Sequence, residues 1–377
     1  MAQSSGVLSK SEKDRIYEMI RRDALDGIAP VTRRTAVFVA GQPGAGRSYA
    51  AEQVRAHLAM NAGSSVAISG DALRQYHPHF RSRASVDLTA GEATRNDIED
   101  WFGRLTKDAT AQGANLVLQT SLRHVQDALD VAARLKASNY EVAAVVLATD
   151  RDQSRQATMA GYDRARAAGL TPVFVAAAAH DTAYDAVRTL LGRIEADVAV
   201  DRVQLIVADG RQLYANETAT TRWARPPHAV QVLDDFRERK RTPREMAESA
   251  LRWQTVVQRL ATDATVPREV ASQAVVWRNE ATQAAEQDAE ASRLLAWGRE
   301  AEAFRTMNRK QFLGDFPQYA KAVERMDEAL RYAERNFEKM VDRERFLALT
   351  RERLATRIAE GRFASPERVA ERGGRAR

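Results

Sequence analysis

The chain has 377 residues, of which 44% are hydrophobic and 29% charged, and its formal net charge is +6. This balance indicates a soluble globular protein with room for two domains and argues against a disordered chain. The sequence contains no cysteine, which excludes disulfides and thiolate metal sites.

The positive charge is interleaved with acidic residues. Residues 237–241 and 342–345, for example, mix arginine with glutamate and aspartate, which is typical of solvated helix faces. We therefore expect the excess charge to attract small anions and do not expect a nucleic-acid partner. No apolar run is long enough to span a bilayer, and residues 1–5 lack the basic and apolar parts of a signal peptide. These features predict a cytoplasmic protein without a membrane partner.

The first half of the chain alternates strand-like and helix-like segments. Five short apolar segments predict buried β-strands: Thr35–Ala40, Ser65–Ser69, Asn115–Thr120, Glu141–Ala148 and Arg202–Val207. Helices are predicted before and between them: Ser9–Asp26, Ser48–Ala62, Thr94–Gln112, Val125–Ser138 and Arg151–Ala168. Such alternation predicts an α/β fold with a parallel sheet flanked by helices.

The pattern changes after residue 207. Asp209 and Gly210 predict a hairpin turn, and Thr242–Glu245 has the N-cap, proline and glutamate of a helix start. Apolar residues recur every three or four positions in 246–260 and 323–340. This periodicity predicts an antiparallel helical bundle or hairpin, with an intermolecular coiled coil as the alternative.

We expect the chain to divide into three parts. The predicted α/β domain comprises residues 1–225, and a mostly α-helical C-terminal region comprises residues 226–360. The basic tail, residues 361–377, is polar and arginine-rich and is predicted to be disordered.

The segment after the first predicted strand, Gly41–Ser48, has the glycine spacing of a phosphate-binding loop. Glycines let successive backbone N–H groups point at an anion, and the N-terminus of the following helix adds partial positive charge. Ser48 is the expected Mg²⁺ ligand. Arg47 stands where a lysine usually reaches the β- and γ-phosphates, and its planar guanidinium does not replace a compact ammonium. The alternative is a glycine-rich turn without a ligand.

A second polar segment follows the second strand. Because the carboxyl ends of parallel strands line the ligand crevice, Asp71 is predicted to lie near the phosphate loop. There it could accept a proton from a hydroxyl that attacks a phosphoryl group. The alternative is that Asp71 caps a helix starting at Ala72. His77 is expected to end that helix and not to bind a metal.

A third polar segment follows the third strand. Thr120 and Ser121 could hydrogen-bond a substrate, and Arg123 could meet a phosphate. Gln119 stands where a kinase would offer a carboxylate to hydrated Mg²⁺. The alternative is a plain strand end.

The predicted helix at 151–168 supplies a fourth candidate. Arginines from such a helix can close over phosphates, and a His180–Asp181 pair follows it. Surface solvation is the alternative for each arginine. The arginines concerned are Arg151, Arg155, Arg164 and Arg166.

Together these segments resemble the zeta-toxin family of P-loop kinases, and they occur in the order that the family has. The matching segments are Gly41–Ser48, Ser69–Pro78, Leu116–Arg123 and His180–Tyr184. The hairpin at 209–214 and the helix start at 242–245 also resemble members of the family, so the resemblance extends over residues 9–262.

The resemblance implies a P-loop kinase fold and a kinase that uses ATP or GTP with Mg²⁺. It implies transfer to a hydroxyl of a nucleotide sugar such as UDP-N-acetylglucosamine, with a small antitoxin as partner. Asp71 and Arg47 would be catalytic, and Ser48 would hold the metal. The substrate would meet Asp71, Arg74, Thr120, Ser121 and Arg123. The nucleotide site would comprise Gly41, Gln42, Pro43, Gly44, Ala45, Gly46, Arg47, Ser48 and Tyr49.

Four positions depart from the family pattern. Arg47 replaces a lysine, Gln119 replaces a glutamate, and Gly161 and the segment 173–175 stand where the family has arginines. Each position concerns phosphate or Mg²⁺, and losing one transition-state charge contact typically costs about 10²–10³ in rate.

Two hypotheses follow. The first is an active kinase of the zeta-toxin type. The second is a degenerate P-loop kinase fold that acts as a nucleotide-binding or protein-interaction module, with its helical C-terminal region as the surface for an antitoxin or another protein. A further idea is that the C-terminal helices act as a built-in inhibitor.

Overall fold

A computed structural model describes residues 8–83, 88, 90–120 and 124–363. The chain divides into two compact units. The first contains the residues up to Arg239 together with Gln258–Ala274, and the second contains Lys240–Val257 and the residues from Val275 onward.

The first unit is built on a seven-stranded sheet. The strands are β1 Thr35–Ala40, β2 Ser65–Ser69, β3 Asn115–Gln119, β4 Glu141–Leu147, β5 Arg202–Ile206, β6 Gln212–Ala219 and β7 Arg222–Trp223. Their order across the sheet is β2-β3-β1-β4-β5-β6-β7. Strands β1 to β5 run parallel, whereas β6 and β7 pair antiparallel. The predicted parallel sheet is therefore confirmed, and each of the five predicted strands ends within one residue of its expected bound.

Helices flank the sheet. They are α1 Lys10–Leu25, α2 Arg47–Asn61, α3 Gly70–Arg74, α4 Pro78–Arg83, α5 Ala90–Ala93, α6 Arg95–Gln112, α7 Val125–Ala137, α8 Arg151–Ala167, α9 Ala177–Asp197 and α10 Ala229–Glu238. The capping pattern that predicted α1 forms, because the Ser9 side chain accepts from the backbone N–H of Glu12 while the Glu12 carboxylate accepts from the backbone N–H of Ser9.

Apolar side chains are buried on both faces of the sheet. Along β1, Val37 and Val39 pack with Leu58 of α2 on one face. Phe38 faces the opposite side and belongs to the core that contains Ile20 and Trp101. Burial on both faces explains why the central strands are continuous apolar segments without polar alternation.

The sheet places the phosphate-loop segment at its centre. Strand β1 lies between β3 and β4, so the chain leaves β1 where the strand order reverses direction, which is the usual ligand crevice of an open α/β sheet. The predicted hairpin joins β5 to β6, with Gly210 at a φ of +88°.

The second unit is helical. Helices α11 Pro243–Thr262 and α12 Arg268–Glu286 contribute residues to both units. The remaining helices are α13 Ala289–Thr306, α14 Arg309–Asp315, α15 Ala320–Asn336 and α16 Met340–Ala359, with one 3₁₀ turn at Pro317–Tyr319. Their core includes Phe304, Phe312, Tyr319 and Leu354.

The apolar periodicity of residues 323–340 extends from one helix, α15, to the start of the next, α16. Helix α15 ends at Asn336 and Phe337 is extended. The Phe337 ring packs with Tyr332 and Phe346 at centroid distances of 6.2 and 5.3 Å. Helices α15 and α16 then pack against each other, which is the predicted helical hairpin.

The first unit extends beyond residue 225. Helix α10 packs against α9 and β6, and the segment 258–274 also belongs to the first unit. In that segment the Gln273 side chain accepts from the backbone N–H of Ala177 at 2.8 Å and donates to the carbonyl of Val175 at 2.9 Å.

None of the helices that the structure describes combines the length and the apolar character needed to cross a membrane. The predicted disordered tail lies, from residue 364 onward, outside the described residues.

Candidate functional site

The loop Gly41–Ser48 joins β1 to α2 and depends on two left-handed glycines. Gly44 and Gly46 have φ values of +79° and +93°, a region that residues with a Cβ rarely adopt. A Cβ at Gly44 would also lie 2.0 Å from the carbonyl oxygen of Ser154. Between the glycines, Ala45 donates its N–H to the carbonyl of Gln42 at 3.1 Å. Only glycine fits the closest approach of this loop to α8.

The N-terminus of α2 fits a phosphate. Its N-cap is Gly46, and no side chain caps it, so N–H groups of the first turn are left for an external acceptor. The helix also places partial positive charge at this end. Ser48 and Tyr49 are exposed beside it. The Ser48 hydroxyl therefore lies at the exposed, uncapped end of α2.

Arg47 reaches from the loop across to β3. Its Nη1 donates to the carbonyl of Thr120 at 2.7 Å, and its Nη2 lies 3.9 Å from Asp71 Oδ2. The side chain is 19% exposed. Burial lowers the pKa of Arg47 below its ordinary value, although the Asp71 carboxylate opposes this shift. Arg47 thus links the predicted nucleotide loop to the predicted substrate residues.

Asp71 does not cap the helix that follows β2, so the capping alternative is wrong. Ser69 is the N-cap of α3, and its Oγ accepts from the backbone N–H of Ala72 at 3.1 Å. The Asp71 side chain is 55% exposed, and its Oδ1 accepts from Arg74 Nη1 at 2.5 Å. Its carboxylate is therefore held between two guanidiniums, one on α3 and one in the loop.

Strand register brings these groups together. Ser69 on β2 and Val39 on β1 both lie beside Gln119 on β3, so the chain leaves three adjacent strands at one edge. Thr120 follows directly, and its buried Oγ1 has no hydrogen-bond partner among the described residues. Ser121 and Arg123, the other residues predicted after β3, lie outside the described residues.

His77 lies in the core. The ring is fully buried, its Nε2 is 3.2 Å from Asp97 Oδ2, and it packs against Trp101. Burial lowers its pKa below 6.5 and outweighs the opposing effect of Asp97. Within the described part of the chain, no three histidine, aspartate or glutamate side chains are grouped to hold a metal ion.

A buried chain of polar contacts connects the loop to α8 and α9. Gln42 Nε2 donates to the carbonyl of Thr149 at 3.2 Å and to Ser154 Oγ at 3.3 Å. Ser154 Oγ lies 2.9 Å from His180 Nε2, and His180 Nδ1 lies 3.0 Å from Asp181 Oδ1. Gln42, Ser154 and His180 are fully buried. Sequence reasoning missed Ser154 and Thr149, because a small polar residue near a helix start has no distinguishing pattern.

Asp181 continues this contact chain to α8. Its carboxylate accepts from Arg155 Nη2 at 2.6 Å and from Arg155 Nε at 3.3 Å. Burial acts to raise the pKa of Asp181, but hydrogen bonds from Arg155 and His180 outweigh it and keep the pKa below 3.8. Burial lowers the pKa of His180 below 6.5, which favours the neutral ring.

Three of the four α8 arginines form ion pairs within the first unit. Arg155 pairs with Asp181, Arg166 with Asp263 at 2.8 Å, and Arg151 with Asp185 at 3.4 Å. Arg164 is exposed, with its Nη2 4.0 Å from where a Cβ at Gly161 would lie.

Segment 173–175 serves packing in this chain. Phe174 sets its ring edge against buried Tyr162, with centroids 6.5 Å apart, and Val173 packs on Phe80.

Comparison with known proteins gives a consistent result. A sequence model of the zeta-toxin family matches residues 22–219, more than half of the chain. Toxin zeta of Streptococcus agalactiae is 24% identical over 221 residues, which cover 57% of this chain and 75% of that protein.

A solved structure shares the fold. A structure from the PezAT chromosomal toxin–antitoxin system of Streptococcus pneumoniae superimposes with a TM-score of 0.55 at 20% identity, covering 69% of this chain and 98% of that chain. A weaker likeness, with a TM-score of 0.41 and 14% identity, is to the AvrRxo1-ORF1:-ORF2 complex with ATP, covering 72% of this chain and 84% of that chain.

Proposed function

Because the chain belongs to the zeta-toxin family of kinases, we propose that it transfers the γ-phosphoryl group of ATP or GTP to a hydroxyl of a nucleotide sugar such as UDP-N-acetylglucosamine. One observation carries the proposal. Arg47, Asp71 and Thr120 come from three separate segments and meet beside an uncapped helix N-terminus. A base next to an anion site is the arrangement that phosphoryl transfer requires.

In the proposed reaction the loop and the N-terminus of α2 hold the triphosphate. Asp71 takes the proton of the acceptor hydroxyl while the hydroxyl oxygen bonds to the γ-phosphorus. The bond from the γ-phosphorus to the nucleoside diphosphate breaks, and the diphosphate leaves. Oδ2 is the oxygen for this task, because Oδ1 already accepts from Arg74 while Oδ2 lies 3.9 Å from Arg47. Arg47 supplies positive charge where negative charge builds up.

The proposed metal is Mg²⁺, with Ser48 as its ligand from the chain. Magnesium in nucleotide sites usually keeps several waters and takes phosphate oxygens in addition to one or two protein groups. Gln119 offers an amide where a carboxylate would be more usual. The metal would neutralise charge on the phosphates.

An alternative function is a nucleotide-binding or interaction module with little catalysis. The observation in its favour is that the Arg47 guanidinium is already bound by the Thr120 carbonyl, whereas a flexible lysine ammonium would be free to follow the phosphates. Gln119 and Gly161, which stand where the family has a glutamate and an arginine, also favour this alternative.

The proposal includes a protein partner and a location. A structural relative comes from a toxin–antitoxin system, and we propose that an antitoxin or another protein binds this chain through its helical C-terminal region. A reaction that uses nucleoside triphosphates and nucleotide sugars accords with the cytoplasm.

The test is transfer of labelled γ-phosphate from ATP and from GTP to UDP-N-acetylglucosamine. We expect transfer by the wild type and a loss of about 10²-fold or more in Asp71→Asn, because the amide cannot take up the proton. Asp235→Asn is the matched control, since Asp235 is exposed on α10 and bonds only Gln231 among the contacts described.

Equal transfer by the wild type and Asp71→Asn would contradict the assignment of the base. Triphosphate binding without transfer to any hydroxyl acceptor would favour the interaction module.

A further inference from the structure

The contacts around the loop assign a role to a residue outside the proposed reaction centre. We infer that His180 is a positioning residue, which holds the phosphate loop in its binding shape through Ser154 and Gln42. The inference deepens the proposed function, since it concerns the loop that would hold the triphosphate.

The first step is the close contact between the loop and α8. Ser154 contacts the loop twice: its carbonyl oxygen approaches Gly44 so closely that a Cβ there would overlap it, and its Oγ accepts from Gln42 Nε2. Gln42 is fully buried, and a second bond to the Thr149 carbonyl fixes its amide. Any shift of Ser154 would therefore move the loop or break a buried bond.

The second step is the direction of the hydrogen bonds. With a neutral His180 ring, Nδ1–H donates to Asp181 Oδ1 and Nε2 is left as an acceptor. The Ser154 hydroxyl proton then has two acceptors, Nε2 of His180 at 2.9 Å and the carbonyl of Arg151 at 3.0 Å, while the lone pairs of Oγ accept from Gln42. The order Gln42 to Ser154 to His180 to Asp181 places no two protons against each other.

The third step is the attachment of this chain of bonds to two helices. His180 and Asp181 are consecutive on α9, and they hold consecutive residues of α8, Ser154 and Arg155. Burial makes loss of a partner costly, because a buried polar atom without a hydrogen bond carries a desolvation penalty. The position of the loop therefore depends on the hydrogen-bonded pair of helices α8 and α9.

The test compares His180→Leu, which removes the acceptor, with His180→Gln, whose Oε1 can replace Nε2. Exchange of the backbone amide hydrogens of residues 42 and 44–49 in the ligand-free protein reports on the loop directly. We expect exchange of these amides to be about tenfold faster or more in His180→Leu and near the wild-type rate in His180→Gln. His57→Gln, on the exposed face of α2, is the control and should leave the loop unchanged.

A second variant tests the route. Ser154→Ala should accelerate the same amides, and adding it to His180→Leu should bring little more, because both substitutions remove the same connection. Ser154→Ala also decides the matter if His180→Leu fails to fold. Loop amides that keep their wild-type exchange in a folded His180→Leu or Ser154→Ala protein would overturn the inference, as would fully additive effects.

Nucleotide affinity separates this inference from the proposed function. Where the wild type binds ATP, His180→Leu should raise the KM or Kd for ATP about tenfold while leaving the KM for the acceptor unchanged. A wild type that binds no triphosphate would defeat the proposed function, yet the exchange measurement would still decide the role of His180.

Discussion

Arg47 is the residue that joins the loop after β1 to Thr120 and Asp71. Its guanidinium uses two nitrogens at once, one on the Thr120 carbonyl and one facing Asp71. A lysine ammonium is a single point on a flexible stem and cannot reproduce this planar fork. Arginine therefore contacts Thr120 and Asp71 at the same time, which a lysine does not do.

Substitutions at Arg47 separate its charge from its shape. Arg47→Ala should lower the rate of phosphoryl transfer by about 10²–10³, the usual cost of one transition-state charge contact. Arg47→Lys keeps the charge and should stay within about tenfold of the wild type, a difference of about 1.4 kcal/mol in the activation barrier. The measurement is kcat/KM for each variant. A kcat/KM of Arg47→Lys that exceeds the wild-type value by much more than about tenfold would identify the wild type as an impaired enzyme.

Two buried histidines, His77 and His180, are expected to make the stability of the fold depend on pH. Burial lowers the pKa of both His77 and His180 below 6.5, so below pH 6.5 the unfolded chain binds protons more readily than the folded chain. Stability must then fall as the pH falls through this window, by up to about 2.7 kcal/mol per pH unit for two groups.

Thermal melting between about pH 7 and pH 5 checks this expectation. Tm should decrease with acidification in the wild type, and the decrease should become shallower in His77→Gln and in His180→Gln. The exposed residue His57 provides the control, since His57→Gln should keep the wild-type slope. A wild-type Tm that stays constant or rises over this range would contradict the assignment.

At the scale of elements, the loop between β1 and α2 is defined by its contact with α8. Gly44 and Gly46 share a positive φ, but they differ in surroundings. A Cβ at Gly44 would overlap a backbone carbonyl, whereas one at Gly46 would lie 3.9 Å from Ala208 Cβ, in ordinary contact. Comparing substitutions at Gly44 and Gly46 therefore separates the cost of backbone strain from the cost of steric overlap.

Gly46→Ala should cost about 1–2 kcal/mol of unfolding free energy from the left-handed backbone alone. Gly44→Ala should cost about 2–5 kcal/mol, because overlap with Ser154 adds to the same strain. Denaturant unfolding measures both. Equal costs would mean that the loop and α8 are not in the contact described.

Some elements could be predicted because their cause is local. Strand β1 is a continuous apolar run buried on both faces, and the glycines after it need no distant partner to specify a turn. Asp71 and Thr120 could be placed at one edge because parallel strands end together. The helix break at Phe337 could not be predicted from the local sequence, since the Phe337 ring contacts Phe346 on the next helix.

Other features of the site depend on residues far apart in the chain. Nothing near Gln42 in sequence indicates that its amide meets Ser154, 112 positions later. The same holds for the bond between Arg47 and Thr120, since a loop arginine could reach many carbonyls. The first contact depends on where α8 packs and the second on where β3 packs. The local sequence pattern does not indicate either position.

At the scale of the whole molecule, the chain passes from the first unit to the second, returns to the first and then enters the second again. The segment 258–274 belongs to the first unit, where Asp263 pairs with Arg166 and Gln273 binds the backbone of residues 175 and 177. A truncation after Thr262 would therefore remove part of the first unit along with the helices. A test of the C-terminal helices as inhibitor needs variants that keep this segment intact.

The most direct test of the account is calorimetric titration of the full chain with ATP and GTP, with and without Mg²⁺. Both the kinase and the nucleotide-binding module require this site, so we predict saturable one-to-one binding of at least one triphosphate, strengthened by Mg²⁺. Ser48→Ala should lose the Mg²⁺-dependent part and retain the rest, because the backbone N–H groups of the loop remain. Absence of saturable binding to either nucleotide in the wild type would contradict the account.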